Sequence, residues 1–385
     1  MEDWQYGGFG LYLHWPYCES KCPYCDFNSH VASHIDQKQW QQAYLSEIDR
    51  VGQQTKGRVL SSVYFGGGTP SLMEPGLVAA IIERIRATWP MVNDPEITLE
   101  ANPGSVEAGR FCGFQQAGVT RVSMGMQAMN DGDLRRLGRK HSAAEARKAF
   151  EIARSCFDRV SFDLIYARQD QTLGAWRDEL GRALELAIDH LSLYQLTIED
   201  GTVFADRFAK GGLRGLPGEE LSAEMFELTQ ELCEKAGLPG YEVSNHAKIG
   251  YESRHNLIYW RGGDYAGIGP GAHGRITLQG TRWATEAQKS PMLWLNAVKS
   301  GKIPELPPSA LTPDEHGMEY LLMSLRLSEG LDMHRYQAIS GAELNTQKIK
   351  DLSDIGMVEL TGNRLRATTK GRIVLNAILR DLVTE

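Results

Sequence analysis

Cys18-Glu-Ser-Lys-Cys22-Pro-Tyr-Cys25 sets three thiols within eight residues in the pattern CxxxCxxC, the strongest chemical signal in the chain. One loop of this form presents three thiolates to three irons of a four-iron cluster. Such clusters normally take four cysteines, so a set of three leaves the remaining iron to a ligand from outside the chain. The competing reading is a structural zinc with His14 or His30 as fourth donor, although zinc sites favour two CxxC pairs far apart in sequence. Cys112, Cys156 and Cys233 stand alone. In a reducing cytosol, cysteines as clustered as the first three are metal or redox ligands more often than disulfide partners.

The elements that must position this loop are legible from residue 9 to about 237, where short β-branched or aromatic runs alternate with amphipathic stretches. That is the pattern of strand and helix units around a parallel sheet. The expected strands are Leu11–His14, Ser62–Phe65, Glu96–Ala101, Arg121–Gln127, Arg159–Tyr166 and His190–Thr197. The helix expected over Pro75–Trp89 carries Leu77, Val78, Ile81, Ile82 and Ile85 on one face and ends at Pro90. Six such units form an open doubly wound sheet or a partial barrel, and periodicity does not choose between them. In both architectures ligands gather at the C-terminal strand ends. There lie the cysteines, Gly66-Gly67-Gly68-Thr69-Pro70, Glu100 with Asn102-Pro103, Gln127, Asp163, and Thr197 with Glu199.

The cysteine spacing followed by an aromatic, Phe27, resembles the defining motif of the radical S-adenosylmethionine (SAM) superfamily. The resemblance implies a [4Fe-4S] cluster on Cys18, Cys22 and Cys25 whose open iron is chelated by SAM. An electron from that cluster cleaves SAM to a 5′-deoxyadenosyl radical in the superfamily. Gly66-Gly67-Gly68 resembles the strand end that meets the amino-acid moiety of SAM. More closely, the chain is similar to the branch that contains the oxygen-independent coproporphyrinogen oxidases and the heme chaperones. The matching blocks are Leu11-Tyr12-Leu13-His14, Leu99-Glu100-Ala101-Asn102-Pro103, Ser123-Met124-Gly125-Met126-Gln127, Leu137-Gly138-Arg139 and Asp163-Leu164-Ile165-Tyr166.

That branch implies an α/β fold, a partial (β/α)6 TIM-like barrel with a smaller C-terminal α+β winged-helix-like domain. It implies SAM contacts at Tyr12, Phe27, Gly67, Gly68, Thr69, Glu100, Gln127, Arg139, Asp163 and Thr197. The carboxylates of Glu100 and Asp163 can accept from an ammonium or ribose hydroxyls, and Arg139 can pair with a carboxylate. After Tyr166 the related sequences run to a glycine or proline turn, whereas this chain has Ala167-Arg168-Gln169-Asp170.

Two features separate the members of the branch. The oxidases carry a further cysteine two residues after the third, and here that position is Phe27. They also have a longer N-terminal extension, whereas this chain starts almost at its first strand. His255-Asn256-Leu257-Ile258-Tyr259 resembles the HNxxY motif of the heme chaperones, which implies heme ligation by His255 or Tyr259. Neutral imidazole and tyrosinate both ligate heme iron, and a four-residue separation puts them on one helical face. His255 is favoured because histidine is already neutral at pH 7, with His246 and His273 as competitors. The expected function is a heme chaperone that binds heme and passes it to an apo-hemoprotein, such as a respiratory-chain component. An electron donor for the cluster and a homodimer accompany that reading. The alternative is an oxygen-independent coproporphyrinogen III oxidase.

The remaining sequence bounds these readings. Residues 1–237 form the expected core, 238–303 a glycine-rich extension with the HNxxY segment, and 304–385 the C-terminal domain after a proline-marked linker. That last part reads as helix, turn, helix (Leu344–Ile355), a hairpin around Thr361-Gly362-Asn363 and a final helix Lys370–Val383. A winged helix raises a third reading, a DNA-binding regulator. Between Ala342 and Glu385, however, seven lysines and arginines face six acidic residues, so no basic stripe stands out. The net charge of −8 argues against bulk attraction to nucleic acid or anionic membrane. With no apolar run long enough to span a bilayer, a cytoplasmic location is expected.

Overall fold

The computed structural model describes residues 2–32, 34–104 and 109–383. Six parallel strands follow in chain order: β1 (Phe9–Trp15), β2 (Leu60–Gly67), β3 (Met91–Ala101), β4 (Arg121–Gln127), β5 (Arg159–Tyr166) and β6 (His190–Gln195). The extension supplies β7 (Asn245–Ala247), β8 (Asp264–Ile268), β9 (His273–Leu278) and β10 (Thr281–Glu286), and β11 is Ser309–Ala310. Together they form an 11-stranded sheet in the order β11, β10, β9, β8, β1, β2, β3, β4, β5, β6, β7. β8 is therefore a seventh parallel strand, paired with β1 on the side away from β2.

Strand alternation explains the curvature. Leu11, Val63, Ile97, Leu99, Val122, Val160 and Leu191 point one way and are buried under the helices. The intervening positions are polar: Tyr12, Tyr64, Glu100, Arg121, Ser123, Asp163, His190 and Ser192 all face one small chamber of about 230 Å³. In a flat sheet, β1 and β6 would stand ~24 Å apart at the usual strand spacing. Side chains from both line the same chamber, so the sheet curls into a partial barrel with a polar interior. The doubly wound alternative is thereby set aside.

The C-terminal unit has its own apolar cluster around Leu321, Leu331, Leu352, Leu365 and Leu379. Helices Pro313–Ser324, Met333–Ser340 and Thr346–Asp354 precede a hairpin of Val358–Thr361 and Arg364–Ala367, completed by Leu331–Asp332 as a third strand. Asp332, Asn345 and Thr368 each cap the helix that follows them. Bidentate ion pairs attach this unit to the rest: Arg335 to Asp3 at 2.7 and 2.8 Å, and Arg261 to Glu329 at 2.8 and 2.7 Å.

Two sequence expectations are corrected here. Cys112 and Cys156 do not stand alone; they form a disulfide between helices Phe111–Gln116 and Ala143–Cys156 on the outside of the barrel. The loop Ala167-Arg168-Gln169-Asp170 makes its turn without glycine or proline. Ala167 (φ 56°) and Asp170 (φ 57°) take the left-handed conformation themselves. The buried Arg168 holds them there, donating to Asp133 at 2.8 Å and to the carboxylate of Glu179.

Candidate functional site

The cysteine loop leaves β1 at Trp15 and is closed at its base by a two-residue parallel ladder, Tyr17 with His30 and Cys18 with Val31. The loop has no room to move away from the barrel mouth. Gly67 takes φ 106°, and a Cβ there would lie 2.6 Å from the His14 ring. A Cβ on Gly68 would lie 2.6 Å from the Tyr17 carbonyl oxygen. The glycines at the end of β2 are thus needed first so that the cysteine loop can cross the strand end. Gly138, at φ 70°, does the same for the other side of the loop, where its Cβ would meet the Pro23 ring at 2.5 Å.

A belt of hydrogen bonds joins two of the thiols. Thr69 Oγ1 donates to Cys18 Sγ at 3.3 Å and accepts from Asn102 Nδ2 at 3.2 Å. Asn102 Oδ1 accepts from Arg139 Nη2 at 2.6 Å, and Arg139 Nη1 donates to Cys22 Sγ at 3.5 Å. Burial pushes the Cys18 thiol up, against the hydrogen bond from Thr69, and pushes Cys25 up to about 11. Bare thiols here stay protonated, and metal must displace their protons.

The zinc alternative finds no support in the same geometry. Among the described residues no three His, Cys, Asp or Glu side chains converge on a point where one ion could sit. His14, buried, spends Nδ1 on Tyr12 Oη at 3.1 Å and Nε2 on the Asn28 carbonyl at 2.9 Å. His30 is exposed and contacts Asn28 Oδ1. Three thiols held apart, with donors aimed at two of the sulfurs, fit a cluster whose irons each take one ligand.

Cys18, Cys22 and Cys25 open onto a cavity of about 1320 Å³. Phe27, Gly67, Gly68, Thr69, Glu100, Gln127, Arg139, Asp163 and Thr197 line it as well, so one volume gathers most of the residues singled out from the sequence. Gln127 ends β4 at φ 68°, a conformation rare outside glycine and frequent at functional sites. Glu100 accepts from Tyr64 Oη at 2.8 Å; burial pushes its carboxyl up to about 7, with the nearby Asp163 adding to the shift. Burial also pushes Asp163 up to about 6, despite the opposing pull of Arg121. Two half-buried carboxyls, with raised pKa and no ion pair among the described residues, suit a ligand that brings a positive charge.

Tyr12 does not reach this cavity. It lines the small chamber beneath, which Glu100, Ser123, Asp163 and Tyr194 share with the large one. His255 and Tyr259 are in the same inner chamber, on helix Arg254–Trp260. They do share a face, but they use it on each other: His255 Nε2 and Tyr259 Oη are 2.6 Å apart, and His255 Nδ1 is 2.8 Å from Ser62 Oγ. Burial holds the imidazole down to about 3, hence neutral. Both ring nitrogens are engaged, and the residue is 1% exposed. His246 is buried in β7, and His273 is exposed outside the cavity lining.

Sequence reasoning passed over the inward positions Tyr64, Arg121, Ser123 and Ser192, whose signal was the alternation of polar with apolar residues along the strands. It also passed over Arg326, Arg372 and Arg380, which the C-terminal unit contributes to the large cavity.

Residues 12–179 match the radical SAM superfamily, and residues 311–374 match the HemN C-terminal domain. The chain is 37% identical to radical S-adenosyl methionine domain-containing protein 1, mitochondrial, of Bos taurus, over 97% of this chain and 87% of that protein. It is 35% identical to the heme chaperone HemW of Escherichia coli over 97% of this chain and 98% of that one. The solved coproporphyrinogen III oxidase (HemN) from Escherichia coli, a radical SAM enzyme, superposes with a TM-score of 0.81 at 22% identity over 98% of this chain and 90% of that one, which shows the shared fold. Matched nearly end to end by such relatives, the chain belongs to the radical SAM superfamily, in the family of the HemW heme chaperones.

Proposed function

We propose that this protein is a heme chaperone that holds heme beside a SAM-ligated [4Fe-4S] cluster and transfers it to an apo-hemoprotein. The observation that carries this reading is near full-length identity, at 35–36%, to proteins named as heme chaperones, in Haemophilus influenzae and Escherichia coli. Phe27 agrees with it, standing where the oxidases have a further cysteine.

In this reading Cys18, Cys22 and Cys25 hold the cluster. Bound SAM supplies the amino and carboxylate groups that complete the open iron, and with them the means of radical chemistry. This chain's own residues position that ligand. Arg139, already turned toward Cys22, takes the carboxylate, while Gly67, Gly68 and Thr69 at the mouth of β2 form the wall beside it. Glu100 and Asp163 accept from the ligand's amino N–H groups or its ribose hydroxyls, with Gln127 and Thr197 at the rim. Tyr12 acts at one remove, through His14 and the loop it steadies.

The partners are heme and a recipient apo-hemoprotein, with a respiratory-chain component as the recipient, a separate electron donor for the cluster and a homodimer as the assembly. No helix among the described residues is long and apolar enough to cross a membrane. A cytoplasmic location fits the three free thiols of the loop; the Bos taurus relative is mitochondrial. The winged unit turns its last helices toward the cavity, which supports a lid role over DNA binding.

A second reading keeps a specific observation behind it. The HemN fold match covers both domains, so an oxygen-independent coproporphyrinogen III oxidase is the alternative. Anaerobic reconstitution followed by heme titration, with and without SAM and dithionite, tests the first. An accompanying assay with coproporphyrinogen and SAM decides between them: ready conversion to protoporphyrinogen establishes the oxidase and overturns the chaperone.

A further inference from the structure

The C-terminal unit gives the large cavity a wall that the cluster and SAM leave unused. Arg326, just past helix Pro313–Ser324, Arg372, on Thr369–Ile373, and Arg380, on Leu375–Val383, all line it. None of the three makes an ion pair among the described residues, whereas Arg139, which also faces the cavity, is held by Cys22, Asn102 and the Gly125 carbonyl.

What each guanidinium does have is slight. Arg326 lies over the Trp260 ring at 5.5 Å, and its Nε is buried without a hydrogen-bond partner. Arg380 Nε reaches only the Asn376 carbonyl, at 3.4 Å. Arg372 is half-buried, and burial lowers its pKa against the pull of Glu242. That carboxylate, which also attracts Arg326, makes no ion pair with either arginine and accepts on Oε1 from Asn245 Nδ2 at 2.6 Å and from the Ser244 amide at 2.9 Å. Glu219 and Glu220 line the same cavity on helix Glu219–Lys235, and neither pairs with the three arginines.

Between the arginines the wall is apolar, formed by Ile373, Val374, Leu375 and Ala377 with Phe226 and Val243 nearby. Val374 stands 43% exposed on this wall. Apolar surface edged by unpaired guanidiniums is complementary to a flat apolar molecule with more than one carboxylate, since guanidinium recognises carboxylate in a planar, two-point fashion.

We propose that Arg326, Arg372 and Arg380 bind the carboxylates of a planar apolar ligand laid against Ile373–Ala377, and that the ligand is a tetrapyrrole held by its propionates. This rests on the heme-chaperone reading and adds to it the place and polarity of the cargo: propionates toward the C-terminal unit, ring edge toward the barrel mouth.

The test is absorption titration of the full-length protein with hemin and with hemin dimethyl ester, whose propionates are blocked. The wild type should prefer free hemin by about tenfold or more, the scale of a charge-assisted hydrogen-bond pair. In R326A/R372A/R380A that preference should vanish, with free hemin falling to the affinity of the ester; R372K should retain part of it. Equal affinity of the wild type for the two forms overturns the proposal without any variant, as does a preference that survives R326A/R372A/R380A. In either case the chaperone reading stands. A wild type that binds neither form overturns the chaperone reading and this proposal together.

Discussion

Arg139 reaches back across 117 residues of chain to place its Nη1 3.5 Å from the sulfur of Cys22. The same guanidinium is fixed by Asn102 and by the Gly125 carbonyl at 2.9 Å, so its approach to the sulfur is set by β3 and β4 together. A positive donor beside a cluster sulfur favours the reduced cluster. In the reconstituted protein, Arg139→Leu should shift the cluster potential to more negative values and weaken SAM binding by about 10–100-fold, the cost of one charged hydrogen bond. Redox titration followed by electron paramagnetic resonance reads the first, and equilibrium dialysis the second. An unchanged potential would remove Arg139 from the cluster's surroundings.

Glu100 and Asp163 give the site a pH dependence whose sign follows from their burial. Their carboxyls lie near pH 7 and 6 in the ligand-free protein, above the ordinary carboxylate range. A ligand that carries a positive sulfonium favours the ionised form, so a proton still bound leaves on binding. SAM affinity should therefore be highest above pH 8 and fall as pH drops through 7 and 6, by up to about tenfold per unit for each proton released. Glu100→Gln should flatten the upper part of that curve. The ligand-free protein should behave oppositely: a raised folded-state pKa contributes stability at low pH that is lost as pH rises through 6 and 7. Thermal melts against pH, compared with Glu100→Gln, measure it.

Gly68→Ala tests whether the crossing at the end of β2 shapes the cluster loop. The added Cβ would press on the Tyr17 carbonyl, one residue before Cys18, where only backbone movement gives relief. Overpacking of this kind costs about 1–3 kcal/mol. Iron and sulfide per chain after reconstitution should drop well below the wild-type value while circular dichroism stays unchanged. Full incorporation would show that the loop tolerates displacement.

Asp264, completely buried, carries a structural charge rather than a functional one. It receives Arg58 at 2.6 Å, Arg282 at 2.8 Å and Thr277 Oγ1 at 3.0 Å, joining β8, β9 and β10 beneath the barrel. Asp264→Ala leaves two buried guanidiniums without their counter-charge and should destabilise by about 3–5 kcal/mol. Denaturant unfolding measures this directly.

His255→Ala should leave the absorption spectrum of the heme complex unchanged and lower thermal stability, since the imidazole bridges Ser62 and Tyr259 under the site. A displaced Soret band would mean that helix Arg254–Trp260 opens to release the ring to heme iron.

How much of this was legible in the sequence depends on where each signal is written. Arg121–Gln127 and Arg159–Tyr166 begin and end as expected because an unbroken alternation fills each strand. The strand ending at Ala101 starts earlier than expected, at Met91, since Asn93, Asp94 and Pro95 read as loop although Met91 pairs with Leu60. The strand Asp264–Ile268 was hidden by its glycines. Gly267 is there because a Cβ would strike the His273 carbonyl at 2.2 Å, a demand of the next strand that no local pattern carries. The final helix breaks at Val374 into two, and that break helps turn Arg372 and Arg380 to the cavity. The three cysteines were plain because their chemistry is local. The arginine wall was not, since it comes from residues that meet the barrel mouth only after both domains are in place.

Asn28 gives the loop a dependence on events late in the life of the chain. Its side-chain amide donates to the carbonyls of Pro270 at 3.0 Å and Lys289 at 2.9 Å, and β1 has β8 as one of its two neighbours. A ribosome exposes the cysteines long before it has made those carbonyls. Until they emerge, the thiols hang from a strand with an open edge and a loop without its tether. Iron delivered early would meet flexible ligands, so cluster loading in the cell belongs after translation has passed residue 289, and truncation before that point should yield protein that cannot retain iron.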